Sequence, residues 1–104
     1  SKREALRDAI VNFIELHEEF GQIEGYKIMN INLVYPFKEI VIDRVSEIYA
    51  DYSNIIRNVS DWRIAEKKIE IVLAVGEFGL IRDLYDKLAK IKHVTVSIHE
   101  IILD

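Results

Sequence analysis

Apolar residues recur along this chain with two different spacings, and the changes of spacing mark the predicted elements. Over residues 1–20 they fall three or four positions apart, which is typical of an amphipathic helix. Over residues 26–35 they alternate with polar residues, which is typical of a strand with one buried face. Pro36 is predicted to close this strand, because proline lacks the backbone N–H that a sheet requires.

The same two spacings predict five further elements. They are a helix over about 38–57, strands over 59–64 and 69–75, a helix over about 78–91 and a strand over 94–102. The polar stretch 65–68 is predicted to join the two middle strands, and Gly76 is predicted to break the second of them. After the first helix the order is βαββαβ. This order predicts an α+β fold, with two helices on one face of a four-stranded antiparallel, ferredoxin-like sheet.

Composition fits one folded domain after the first helix. The chain has 104 residues, of which 50% are hydrophobic and 31% charged, so it can bury a core without disulfides or metals. Cysteine is absent, which excludes disulfides, thiolate metal sites and a cysteine nucleophile. No apolar run reaches the length of a membrane helix, and no signal peptide is evident. These features predict a cytoplasmic protein.

The charge distribution bears on nucleic-acid binding. A net charge of −4 argues against this stretch holding a DNA duplex by itself, because phosphate contacts need a basic face. The one local positive bias is at the start, where Lys2, Arg3 and Arg7 lie close together. These cations are either a solvated helix end or contacts to DNA phosphates, and the sequence leaves both interpretations open.

The first ten residues follow the pattern Ser-(Lys/Arg)-x-Glu-x-Leu-Arg-x-Ala-Ile, which resembles the second helix of ribbon-helix-helix DNA-binding domains of the CopG and NikR type. Ser1 and Glu4 form a capping-box pattern, which a free chain terminus rarely needs, and Leu6 and Arg7 continue the resemblance. The resemblance implies that a DNA-reading strand and a first helix lie upstream of Ser1. Residues 1–22 would then be the last helix of a ribbon-helix-helix domain, and Ser1, Lys2 and Arg3 would contact the DNA backbone.

Further segments, at 34–35, 46–56 and 69–76, resemble segments of one known family, the nickel-responsive repressors. The segment 46–56 is similar to that family's Thr-Glu-Ile-x-x-Asp-Phe-x-x-Leu-Ile helix, and Val34-Tyr35 to the Val-Tyr that ends its first strand. The run Ile69-Glu70-Ile71-Val72, followed by Gly76, is similar to its Leu-Glu-Val-Val strand and following glycine. The resemblance implies that residues 26–104 form an ACT-like regulatory and oligomerisation domain, and that the protein is a homo-oligomer, a dimer or a tetramer.

The resemblance fails at the metal site. The family binds nickel in a square-planar site of three histidines and one cysteine, and the aligned positions here are Lys38, Ser60, Trp62 and Lys68. None of these suits Ni(II), and two are cations. We therefore expect a regulator that does not respond to nickel and has no metal site. The four residues either line a pocket for an anionic or aromatic effector, or are packed shut with Trp62 as a plug and Lys38 paired to a carboxylate.

Other chemistry finds little support. His17 lies on the stripe of the first helix, and His93 and His99 are predicted to lie on one face of the last strand. Six residues of strand separate these two by about 20 Å, too far to share one ion. No nucleotide-binding loop, catalytic triad or cofactor motif is present, so we expect neither an enzyme nor a cofactor. The alternative to a DNA-binding regulator is a stand-alone ACT-like module that binds a small molecule or drives assembly.

Overall fold

The protein is described here by a computed structural model over residues 25–103, with six elements. In order they are β1 (Tyr26–Pro36), α1 (Glu39–Asp51), β2 (Ile56–Ile64), β3 (Lys67–Glu77), α2 (Phe78–Ala89) and β4 (Thr95–Glu100). The helix predicted over residues 1–20 lies outside the described residues, as do the DNA-backbone candidates Ser1, Lys2 and Arg3, and His17. Among the described helices, neither is long and apolar enough to cross a membrane.

The four strands form one antiparallel sheet in the order β2-β3-β1-β4. This confirms the predicted α+β fold and its βαββαβ order. The two long strands β1 and β3 pair along their whole length, from Tyr26 opposite Glu77 to Pro36 opposite Lys67. The predicted alternation in β1 is confirmed, because every second side chain from Met29 to Tyr35 is buried.

The core lies between one face of the sheet and the two helices. Its members share a helical spacing of three or four in the helices and a spacing of two in the strands. They include Val41, Val45 and Ile48 of α1, Ile81, Leu84 and Leu88 of α2, and Met29, Ile31, Leu33, Val72, Ala74 and Ile98 of the sheet. The helix layer therefore covers this face of the sheet at β1, β3 and β4, whereas the outer strand β2 is largely exposed.

Two local predictions are wrong. Helix α1 ends at Asp51 rather than near residue 57, because the chain turns after Tyr52 and Ile56 already belongs to β2. Gly76 does not break β3, which continues to Glu77. A Cβ at Gly76 would lie 2.8 Å from Cγ2 of Ile55, so the glycine provides room for a close approach inside the strand.

The segment after α2 also differs from the prediction. His93 precedes β4 instead of lying on it, and its backbone has a φ of 71°. Such a left-handed conformation is uncommon for residues other than glycine, although histidine adopts it more readily than most. His93 and His99 therefore do not share a strand face.

Candidate regulatory site

The second face of the sheet, which we call the open face, is covered by no element among residues 25–103. Its side chains follow from the strand register, since successive residues of a strand point to opposite faces. They include Ile28, Asn30, Asn32 and Val34 of β1, Asn58, Ser60, Trp62 and Ile64 of β2, Lys67, Ile69, Ile71, Leu73 and Val75 of β3, and Thr95, Ser97 and His99 of β4.

The end of the open face near the β2–β3 turn is apolar except for Lys67. Trp62 lies opposite Ile69, which in turn lies opposite Val34, so three apolar side chains form a row across three strands. Trp62 is 50% exposed and Ile64 56% exposed. Contiguous exposed apolar surface of this kind usually marks a place where another molecule binds.

The half of the open face on β1 and β4 carries mostly polar side chains, apart from Ile28 and Val34. Asn32 donates a hydrogen bond of 3.3 Å from its amide to the hydroxyl of Ser97. His99 lies opposite Asn30 on the same face. Burial lowers the pKa of His99 below its ordinary value of 6.5, which favours the neutral imidazole. This half therefore presents neutral donors and acceptors.

The four predicted effector residues occupy three different places in one chain. Ser60 and Trp62 lie two residues apart on β2 and share the open face. Lys68 lies opposite Arg63, with its side chain on the helix side of the sheet. Lys38 immediately precedes α1 and is exposed, and within residues 25–103 it forms no ion pair. The structure thus brings together Ser60 and Trp62, and holds both lysines apart from them.

Lys68 belongs to a buried polar cluster that the sequence analysis did not predict. The carboxylate of Glu70, only 3% exposed, accepts hydrogen bonds from the hydroxyls of Tyr35 at 2.7 Å and Tyr49 at 2.5 Å. The ammonium of Lys68 lies 3.2 Å from the same carboxylate and 4.0 Å from Asp61. A buried carboxylate is stable in a core only when it is paired and hydrogen-bonded, and these partners meet that requirement.

The electrostatics of this cluster fix its protons. Burial raises the pKa of the Tyr35 and Tyr49 hydroxyls well above their usual range, and the hydrogen bonds to the Glu70 carboxylate raise it further. Both tyrosines therefore remain donors at physiological pH. A sequence signal did exist, because Glu70 interrupts the otherwise apolar run of β3, and a charge on a buried face needs partners.

The residues at the four aligned positions do not fit nickel. A hydroxyl, an indole and two ammonium groups offer no imidazole or thiolate donor, and ammonium groups repel a cation. Over residues 25–103 there is also no group of three histidine, cysteine, aspartate or glutamate side chains that could hold a metal ion. These four residues therefore provide no set of donors that could bind a nickel ion.

The fold is similar to two solved structures. An uncharacterized protein from Thermotoga maritima superposes with a TM-score of 0.72 at 18% identity, covering 75% of this chain and 100% of that one. An ACT domain protein from Streptococcus pneumoniae superposes with a TM-score of 0.52 at 18% identity, covering 71% of this chain and 89% of that one. These similarities establish an ACT-like fold.

Sequence comparison identifies curated relatives, although no protein-family model matches the chain. A protein from Methanococcus aeolicus named "Putative nickel-responsive regulator" is 30% identical over 96 residues, which span 90% of this chain and 68% of that protein. A similarly named protein from Methanosarcina mazei is 30% identical over 99 residues, which span 93% of this chain and 68% of that protein. On this evidence the chain belongs to the nickel-responsive regulator family.

Proposed function

We propose that this chain is the regulatory and oligomerisation part of a ribbon-helix-helix transcriptional regulator of the cytoplasm that does not respond to nickel. The observation that carries the proposal is the open face, which is apolar around Trp62 and bears two of the four positions aligned with nickel ligands. Family membership supports a regulatory, non-enzymatic role. The donor chemistry of Lys38, Ser60, Trp62 and Lys68 argues against nickel as the signal.

A second copy of the chain is the proposed occupant of the open face. One face of an antiparallel sheet is often solvated, but it then carries mostly polar side chains. Here the β2 and β3 half carries Trp62, Ile64 and Ile71, each more than one third exposed. A symmetric pair of sheets would bury the same patch on both copies, as a two-fold interface requires. Further pairing of dimers gives the tetramer that the family resemblance implies.

In this proposal the assembled domains set the distance between DNA-binding segments that lie upstream of Ser1. DNA contact would come from that upstream segment, with Ser1, Lys2 and Arg3 holding phosphates. A small-molecule effector bound at the interface near Ser60 and Trp62 would change the affinity for DNA only if it binds one arrangement of the subunits more tightly than another.

The assembly is tested by sedimentation velocity of the 104-residue chain. We expect a dimer or tetramer for the parent and a smaller species for Trp62→Glu, because a carboxylate on the open face would have to be desolvated. Leu80→Glu is the matched control, since Leu80 is 38% exposed on α2 in the helix layer. A monomeric parent, or the same change in both variants, contradicts the proposal. Circular dichroism confirms that both variants fold.

The signal and the DNA partner are tested separately. Calorimetric titration of the chain with Ni²⁺ should show no stoichiometric binding, and tight binding would contradict the absence of nickel sensing. The intact mass of the protein isolated from its source should exceed that of these 104 residues by roughly the size of a ribbon and helix. A native mass equal to that of the chain would remove the DNA-binding part of the proposal.

A second candidate function is a stand-alone ACT-like module without DNA binding. The Thermotoga maritima structure supports this candidate, because the superposition covers the whole length of that chain. In that case assembly through the open face would persist, whereas the native protein would bind no DNA. The intact-mass experiment distinguishes the two candidates, because both predict assembly through the open face.

A further inference from the structure

A pocket of about 340 Å³ lies between the first turns of α1 and the segment that joins α2 to β4. It is lined by Ile40, Val41, Arg44, Ile91, Lys92 and His93. All six residues belong to the helix layer or to the segment after it. The pocket is therefore separate from the open face and from the buried Glu70 cluster.

The floor of the pocket is apolar. Val41 is part of the core and Ile91 packs against it, so this floor is fixed by the fold. Ile40 forms the outer wall and is 79% exposed, the most exposed of the large apolar side chains in the described chain. An apolar ligand in the pocket would remove this side chain from water.

The rim of the pocket is cationic. Two cationic residues, Arg44 and Lys92, border the floor, and the lining includes no carboxylate, although the whole chain has a net charge of −4. Arg44 pairs with Glu47 at 3.2 Å on the exposed surface, where such a pair is weak. Lys92 has no ion-pair partner among residues 25–103.

From this combination we propose that the pocket binds a small carboxylic acid with an apolar body. The hydrocarbon part would lie on Ile40, Val41 and Ile91, and the carboxylate would lie between Arg44 and Lys92. A volume of about 340 Å³ is at the small end of ligand pockets, which fits a metabolite-sized acid rather than a large ligand. The proposal does not depend on DNA binding or on assembly through the open face.

The test uses octanoate and octanol as a matched pair of probes, added below their aggregation concentrations to the ¹⁵N-labelled 104-residue chain. We expect octanoate to shift the amide signals of the six lining residues and to bind about tenfold more tightly than octanol, the factor typical of one charge-assisted hydrogen bond. Lys92→Glu should weaken octanoate binding about tenfold and leave octanol binding unchanged. Ile40→Ala should weaken both probes, because both bury their chains on it.

The control is Lys90→Glu, which makes the same charge change on an exposed residue outside the lining. It should alter octanoate affinity by less than about twofold, since Lys90 does not line the pocket and solvent and salt screen an exposed charge. Equal loss in Lys90→Glu and Lys92→Glu would overturn the proposal in favour of general electrostatics. Equal affinity for octanol and octanoate, or no shift at the lining, would also overturn it. Shifts of the lining signals on dilution without probe would show instead that a second copy covers the pocket.

Discussion

Tyr49 on α1 donates a hydrogen bond of 2.5 Å to the carboxylate of Glu70 on β3, and this bond links the helix layer to the sheet through a buried charge. Replacement by phenylalanine keeps the ring and removes only the hydroxyl. We expect Tyr49→Phe to lower the free energy of unfolding by about 1.5 kcal/mol, the usual size for a hydrogen bond to a charged group. Urea unfolding measures the change.

Tyr26→Phe is the matched control for this prediction, because Tyr26 is exposed at the start of β1. It should change the free energy of unfolding by less than about 0.5 kcal/mol, as surface substitutions usually do. Equal effects in the two variants would show that the buried hydrogen bond to Glu70 contributes no more to stability than an exposed hydroxyl.

The turn between β2 and β3 carries conformational strain. Its two residues, Ala65 and Glu66, have φ values of 49° and 66° and connect Ile64 directly to Lys67. Asparagine and glycine are preferred at these two positions, because other residues adopt a positive φ at a cost. We expect the double substitution Ala65→Asn with Glu66→Gly to raise the free energy of unfolding by about 1 kcal/mol, after allowing for the backbone entropy of glycine.

The exposed Arg63–Glu66 ion pair, lost in that variant, contributes little. Ala65→Val provides the opposite change, since a β-branched residue tolerates a positive φ poorly, and it should lower the midpoint of thermal unfolding. A stability increase in Ala65→Val would contradict the strain at this turn.

Close packing against Ile55 leaves no room for a side chain at Gly76. An added Cβ would lie 2.8 Å from Cγ2 of Ile55, so Gly76→Ala should lower the free energy of unfolding by about 1–3 kcal/mol. Gly79→Ala is the control, because a Cβ at Gly79 meets no atom within 4 Å. Gly79 also lies in a helix, where alanine is favoured over glycine by about 0.5–1 kcal/mol.

The contact with Ile55 can be isolated by a double-mutant cycle. Ile55→Ala removes the Cγ2 atom that the new methyl group would meet. If that contact is the cause, Gly76→Ala should cost about 1 kcal/mol less in the Ile55→Ala background than in the parent. Additive free energies would point to backbone conformation at Gly76 instead.

The sequence predicts the elements of this fold because their periodicity records which face is buried. The alternation around Met29 and the three-to-four spacing of Val41, Val45 and Ile48 each correspond to a buried stripe. The same signal misplaces the end of α1, since Ile55 and Ile56 continue the helical spacing after the helix has ended. Periodicity alone cannot separate a helical turn from the start of a strand at that point.

The candidate site is less predictable because it depends on register. The predicted turn over 65–68 includes Lys68 and so assigns it to neither face of the sheet. The turn in the structure has only two residues, so Lys68 belongs to β3 and its side chain lies on the helix side. Trp62 and Ser60 keep a common face with either turn, since they are two residues apart. The pocket at Arg44 and Lys92 joins residues far apart in sequence, so only the packed structure could reveal it.

His99 makes stability depend on pH. Burial lowers its pKa in the folded protein below the ordinary value of 6.5, so the unfolded chain binds its proton more readily. As pH falls from above 6.5 to the lowered folded pKa, the unfolded state gains protons first and the folded state is destabilised. Above pH 6.5 both states carry a neutral imidazole and the effect vanishes. We therefore expect the free energy of unfolding to decrease on acidification through this window.

The His99→Gln variant isolates this effect from the other histidines, because it keeps a polar side chain opposite Asn30 but cannot titrate. Urea unfolding of parent and variant at a series of pH values, at one protein concentration so that assembly is constant, gives the difference in stability. The parent should lose stability relative to His99→Gln as pH falls below 6.5, and the difference in their free energies of unfolding should stay constant above it. A constant difference at every pH, or a relative gain for the parent in acid, would mean that the His99 imidazole is not desolvated on the open face.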